Sequence, residues 1–205
     1  ADIMKDRKIK SVAITYTNND YGKGLADVYA AAVKAHGIKV TTSAAHEDGK
    51  ADYSAEVATL ASAGGDAVAV IGYLDQGGKG IIQGSLDSGA FDTFILSDGM
   101  IGDSLTDTFG KSLNKSFGSL PGSTGKGAGV FAKVAKAAGI DSSGPYTGES
   151  YDAAALITLA MQAGGKADRA TIQKNVMSVA NAPGKKIYPG ELKKALDLLA
   201  KGKDI

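Results

Sequence analysis

The chain has 205 residues, 43% apolar and 22% charged, the balance of a globular protein with room for one large domain or two small ones. A formal net charge of +1 supplies no overall field to draw it to nucleic acid or to a membrane surface. The absence of cysteine excludes a disulfide framework and thiolate chemistry, and no apolar run reaches the roughly 18 residues of a membrane span.

The opening "ADIMKDRKIK" reads as the end of a helix leading into a strand, an abrupt start that suggests a piece of a longer protein. Four short apolar, β-branched runs follow: "SVAITY" from Ser11, "IKVTTSA" from Ile38, "DAVAVIGY" from Asp66 and "TFILSD" from Thr93. Helical patterns lie between them. The first carries Leu25, Val28, Tyr29, Ala32 and Val33 on one face and stops at His36-Gly37. The second, from about Asp52 to Ser62, turns Tyr53, Val57 and Leu60 inward and ends at Gly64-Gly65. The third follows Asp75, a candidate cap, carries Ile81, Ile82 and Leu86, and ends at Gly89. Strands separated by helices of this length run parallel with right-handed crossovers. The runs beginning at Ala67 and Thr93 lack clean alternation, as strands covered on both faces do. Residues 9–118 are therefore expected to form an α/β, doubly wound parallel sheet.

After Ser119 the character changes. "SLPGSTGKGAG" is a glycine-rich connector, and helical patterns follow at about 127–138, 150–163, 169–180 and 190–201, with no strand among them. "SYDAAALITLAMQAGG" is apolar almost all round and calls for cover on most of its circumference. Residues 119–205 supply helices but no sheet for them to cover, a second sign of a piece of a longer protein. The lysines from Lys185 to Lys203 read as the solvated face of a helix.

Ligands of open parallel sheets bind beyond the carboxyl ends of the strands. The runs lead there to Asn18, Asn19, Asp20 and Tyr21; to His46 and Glu47; to Gly72, Tyr73 and Leu74; and to Ser97, Asp98 and Gly99. Asp98 is placed either to receive an ammonium or to cap a turn. Tyr21 and Tyr73 offer apolar faces with one hydroxyl each, suited to a small molecule or to packing on the sheet edge. Asn19 or Asp20 caps the first long helix. His46-Glu47-Asp48 reads as a surface turn in preference to a ligand contact. The two histidines, His36 and His46, lack partners at metal-ligand spacing, so no metal site is expected. "GSTGKGAG" fails as a P-loop, since Gly127 follows Lys126 where a serine or threonine is needed. "YGKGLA" is not G-x-G-x-x-G, and neither Ser97 nor Ser150 has a nucleophile-elbow context. No catalytic residue and no cofactor is expected.

The ordered series "VAITYTNNDYGKGLAD", "DYSAEVATL", "GGDAVAVIGY", "FILSDGM" and "SGPYTGESYDAAALITLAMQAG" resembles the type I periplasmic substrate-binding proteins of ABC transporters, specifically the branched-chain amino acid (Leu/Ile/Val) binding family. The resemblance runs along essentially the whole chain. It implies a two-lobed protein that closes on a small amino acid-like ligand outside the cytoplasm, in the periplasm, and hands it to a membrane permease. On that reading 9–118 is the second lobe and 119–205 returns to a first lobe whose sheet is absent from this chain. It implies ligand contacts from Tyr21, Tyr73 and Asp98, from Tyr146 in "SGPY" and from Tyr151. Family members more often carry glutamate where Asp98 stands. The carboxylate-binding loops of the family have no counterpart here, so the anionic end of a ligand stays unassigned. A sensor of the same fold, and a flavodoxin-like nucleotide-binding enzyme domain, are the alternatives. The apolar helix is expected to fold back onto a neighbour or to drive self-association.

Overall fold

A computed structural model describes residues 1–205, which divide into two compact units, Ala1–Leu120 and Pro121–Ile205. The first holds a sheet of β1 (Ser11–Thr17), β2 (Lys39–His46), β3 (Ala67–Ile71), β4 (Phe94–Leu96) and β5 (Phe117–Gly118). The strand order is β2-β1-β3-β4-β5 and every pairing is parallel. The expected doubly wound sheet is therefore present. The central strands β3 and β4 are buried along their whole length, which is why their sequences run apolar without alternation.

The helices of this unit are α1 (Asp2–Asp6), α2 (Asp20–Ala35), α3 (Ser54–Ala63), α4 (Lys79–Asp87) and α5 (Asp103–Phe109). One core layer joins Val57-bearing α3 and α4 to the sheet through Leu60, Ile81, Ile82 and Phe94; the other sets Met4, Ala26 and Val33 against Val12, Ile14 and Ala69. Arg7 lies 4.6 Å over the ring of Phe117 and donates to the Lys115 carbonyl, so α1 is tied to β5. Asn19 is the cap of α2, its side chain accepting from the Gly22 amide, and Gly64 ends α3 at φ 63°.

Several expectations give way. Val28 is 68% exposed and Ala32 is also exposed, whereas Val33 is buried and Leu25 and Tyr29 pack against the same core as expected; α2 also buries Gly22 and Ala26. Gly22 sits so close to β1 that a Cβ there would stand 2.1 Å from the Thr17 carbonyl oxygen. Asp75 does not cap α4. It lies in a wide turn, Leu74–Gly78, and pairs with Lys79 across one helical turn, while Gly78 precedes α4. Helix α5 and strand β5 were not foreseen: α5 buries only Leu105 and Phe109, and β5 is two residues long, too short for periodicity to register.

The second unit is wholly helical: α6 (Lys126–Ala137), α7 (Thr147–Gly164), α8 (Arg169–Ala180) and α9 (Leu192–Leu199). Helix α7 folds back on α8 and α9, but only Leu159 and Ala160 are fully buried, and Ile157 remains 44% exposed. The core is small: Leu159, Ala195 and Ile205, with Val179, Ile187, Leu192 and Leu196 packed around them. The apolar circumference of α7 thus finds cover on one side within this unit.

Gly22 and Gly24 separate space from propensity on one helix. Gly22→Ala should destabilise the chain by about 1–3 kcal/mol through overpacking against the Thr17 backbone. Gly24→Ala, which meets nothing within 4 Å, should stabilise it by about 0.5–1 kcal/mol. Urea unfolding of both variants checks the pair.

Candidate functional site

In a sheet ordered 2-1-3-4-5 the chain reverses direction between β1 and β3, and the crevice at their carboxyl ends is where such sheets bind ligands. Tyr21 reaches this edge from the first turn of α2 and Tyr73 from the residue before the Leu74–Gly78 turn. Their rings stack with centroids 5.5 Å apart and planes inclined by 29°. Asp98 enters from the short helical turn Asp98–Met100 that follows β4.

The Tyr21 hydroxyl donates to Asp98 Oδ1 at 2.7 Å and lies 3.2 Å from Ser97 Oγ. Ser97 Oγ in turn accepts from the Gly72 amide at 3.3 Å. A phenol has one proton, and Asp98 has it; the Ser97 proton is then available to the Tyr21 oxygen. Burial raises the Tyr21 phenol above its ordinary value, with the Ser97 bond opposing and the Asp98 bond adding to the rise, so Tyr21 stays neutral beside its carboxylate. Three of the residues expected at the site therefore form one bonded, stacked group on three different loops. All three are partly exposed, so the group has access to solvent.

Glycines make the convergence possible. A Cβ on residue 99 would stand 2.4 Å from the Gly72 carbonyl oxygen, and one on Gly78 would stand 2.1 Å from the Met100 sulfur. The β3 and β4 turns approach closely because neither position carries a side chain.

His46 departs from the sequence expectation. It is not part of a surface turn but the last residue of β2, 1% exposed. Its Nδ1 is 2.9 Å from Thr15 Oγ1, while Nε2 has no hydrogen-bond partner. Parallel pairing places His46 beside Thr17 and draws it under the sheet edge, where Tyr53 meets its ring edge-on at 6.2 Å. The Tyr53 hydroxyl accepts from the Lys50 amide, and its single proton lies within reach of the Gln76 carbonyl at 2.8 Å and the Glu47 carbonyl at 3.0 Å, lashing the β2–α3 turn to the turn that carries Tyr73. Ser97, His46 and Tyr53 are the supports the sequence did not reveal as such. Tyr53 showed only as an apolar position at helical spacing.

Tyr146 and Tyr151 belong to the second unit. Tyr146 precedes α7 in the left-handed region, φ 60° and ψ 7°, a conformation that costs a non-glycine residue about 1–2 kcal/mol. The Tyr151 hydroxyl accepts from the Gly190 amide at 2.8 Å, and its ring packs on Phe131 at 5.4 Å. Tyr151 also lines a largely apolar cavity of about 480 Å³ with Leu156, Leu159, Ile187 and Ile205. No cluster of three or more His, Asp or Glu residues is arranged as a metal site.

Residues 1–186 match the sequence model of the periplasmic binding proteins. A Leu/Ile/Val-binding protein homolog from Brucella melitensis is 40% identical over 76 residues, 37% of this chain and 21% of that protein. An amino acid binding protein from Pseudomonas aeruginosa is 28% identical over 200 residues, 93% of this chain and 53% of that protein. The crystal structure of a type 1 periplasmic binding protein from Bordetella pertussis aligns with a TM-score of 0.69 at 24% identity, covering 84% of this chain and 51% of that one. The chain thus spans about half the length of the last two of these relatives.

Burial holds the His46 imidazole below its ordinary value of 6.5, against the pull of Asp48, Glu56 and Glu47. Well above pH 6.5 the residue is neutral folded and unfolded, and no proton is linked to unfolding. Below it the unfolded chain takes up a proton that the folded chain refuses, so stability falls with pH until the folded imidazole also protonates. Urea unfolding at pH 7.5 and at about pH 5.5 should show this loss, and His46→Gln should show a smaller one.

Proposed function

This chain belongs to the periplasmic binding protein family, and on that premise we propose that it is part of a non-catalytic, extracytoplasmic solute-binding protein that captures a small amino acid-like ligand and delivers it to an ABC permease. On this reading residues 9–118 are one ligand-facing lobe, and residues 119–205 contribute helices to the other. The observation that carries the proposal is the Tyr21–Tyr73–Asp98 group at the switch point of the sheet.

The chemistry follows from the group. The stacked rings give an apolar wall with hydroxyls at its rim. Asp98 is an acceptor with more than one lone-pair site, so an ammonium can share it with the Tyr21 hydroxyl. A charge-assisted bond to a partly buried carboxylate then selects an amine over a neutral isostere. Tyr21, held by Asp98 and Ser97 before any ligand arrives, needs little ordering on binding. Closure of two lobes follows by linkage: a ligand that touches both only in the closed form stabilises that form. Tyr146 and Tyr151 are the contacts proposed from the returning segment.

Asp98→Asn in the natural gene product should weaken binding of an amine-bearing ligand by about 10- to 100-fold, the worth of a hydrogen bond to a charged group. Affinity for an aromatic acid without an amine should hold or rise. Isothermal titration calorimetry against both classes decides it. Equal affinity for the amine in the variant and the parent removes Asp98 from the site.

A further inference from the structure

The buried histidine beneath the aromatic pair has a consequence beyond stability. His46 Nδ1 is satisfied by Thr15, on the strand paired with β2 along its whole length. Its Nε2 faces the other way: a Cβ on Gly72 would stand 3.1 Å from that nitrogen, and one on Gly77 would stand 3.3 Å from the adjacent Cδ2. Gly72 and Gly77 bracket Tyr73, so the imidazole is packed directly against the turn that carries half of the aromatic pair. We propose that His46 is a proton-responsive element of the candidate site: uptake of a second imidazole proton parts the Gly72–Gly78 turn from the end of β2 and loosens Tyr73 from Tyr21.

A neutral imidazole has one donor and one acceptor, and leaves only one unpartnered nitrogen here. The imidazolium has two donors and a full charge in a place that is 1% exposed. The titratable groups around it come from two directions. Glu47 and Asp48 follow it in the chain, with Asp48 accepting from Thr17 and Glu47 from Asn18. From α3 and the residues before it come Tyr53, edge-on to the ring, and Glu56, which is paired with Lys50. From β3 and its turn the backbone of Gly72 and Gly77 faces the ring, and Nε2 finds no acceptor there. On the Thr15 side the ring is hemmed in by paired strands. The turn is the side that yields, because it is held to its neighbour mainly by the Tyr53 hydroxyl and by the Gly49 amide on the Gln76 carbonyl. Asp48, Glu56 and Glu47 favour the charged imidazole against the cost of its burial.

The bearing of this coupling on ligand capture rests on the function proposed above, but the coupling itself does not, and it is read without ligand. The experiment is an NMR titration of the chain from about pH 8 to pH 5, following both imidazoles and the Gly72, Tyr73 and Tyr21 resonances. The expected result is that all three residues shift with the midpoint of His46 while the chain stays folded, and that the shifts are lost in His46→Gln. Resonances of Tyr73 and Gly72 that stay still, that follow His36, or that persist in His46→Gln overturn the proposal. So does global unfolding at the His46 midpoint. The wild-type comparison of midpoints decides by itself where the variant does not fold.

Discussion

The carbonyl oxygen of Gly72 fills the space a side chain on residue 99 would need, since a Cβ there would come within 2.4 Å of that oxygen. This contact brings the turn after β3 against the turn after β4. From it follow the Gly72 amide on Ser97, the position of Ser97 beside Tyr21, and the reach of Asp98 to the Tyr21 hydroxyl. A side chain at residue 99 would push the turns apart and leave Tyr21 without its carboxylate. A sheet edge becomes a candidate site because three loops can touch there, and they touch because backbone meets backbone.

The polar groups below that edge complete the arrangement. Thr15 and Thr17 are buried on β1, and each bonds to a residue at or beyond the end of β2, His46 and Asp48. The Tyr53 hydroxyl does the same work one layer further out, between the β2–α3 turn and the Leu74–Gly78 turn. Polar contacts of this kind are short-ranged and directional, so they set the height of each loop over the sheet where apolar packing alone leaves it free. The unpartnered His46 nitrogen stands out against them, because most buried polar atoms in a folded chain find a partner.

The second unit shows the opposite economy. Its helices hold together through a handful of aliphatic side chains around Leu159, Ala195 and Ile205, with Tyr151 as a strut between Phe131 and the Gly190 amide. Helix α7 turns one face to α8 and α9 and leaves Ile157 open. A helix apolar nearly all round with cover on one side carries more hydrophobic surface than its own unit uses.

The sequence by itself determined the parallel direction of the strands and the hand of their crossovers, since helix-length spacers force both, and it marked β3 and β4 as covered on both faces by their unbroken apolar runs; the order of the strands in the sheet came from the tertiary structure. It also named Tyr21, Tyr73 and Asp98, because strand ends in such a sheet share one edge. Tertiary structure alone decided what those residues do to one another. Periodicity on α2 put Val28 inward, but the helix lies against the sheet with Gly22, Ala26 and Val33 buried and Val28 exposed. Local composition made His46-Glu47-Asp48 a surface turn, and pairing with β1 buried the histidine. The roles of Ser97 and Tyr53 depend on atoms that are distant in the chain, 76 residues from Tyr21 in one case and 23 from Gln76 in the other. Periodicity reports which face of an element is apolar; it carries no information on which hydroxyl meets which carbonyl across loops, and the site is made of those meetings.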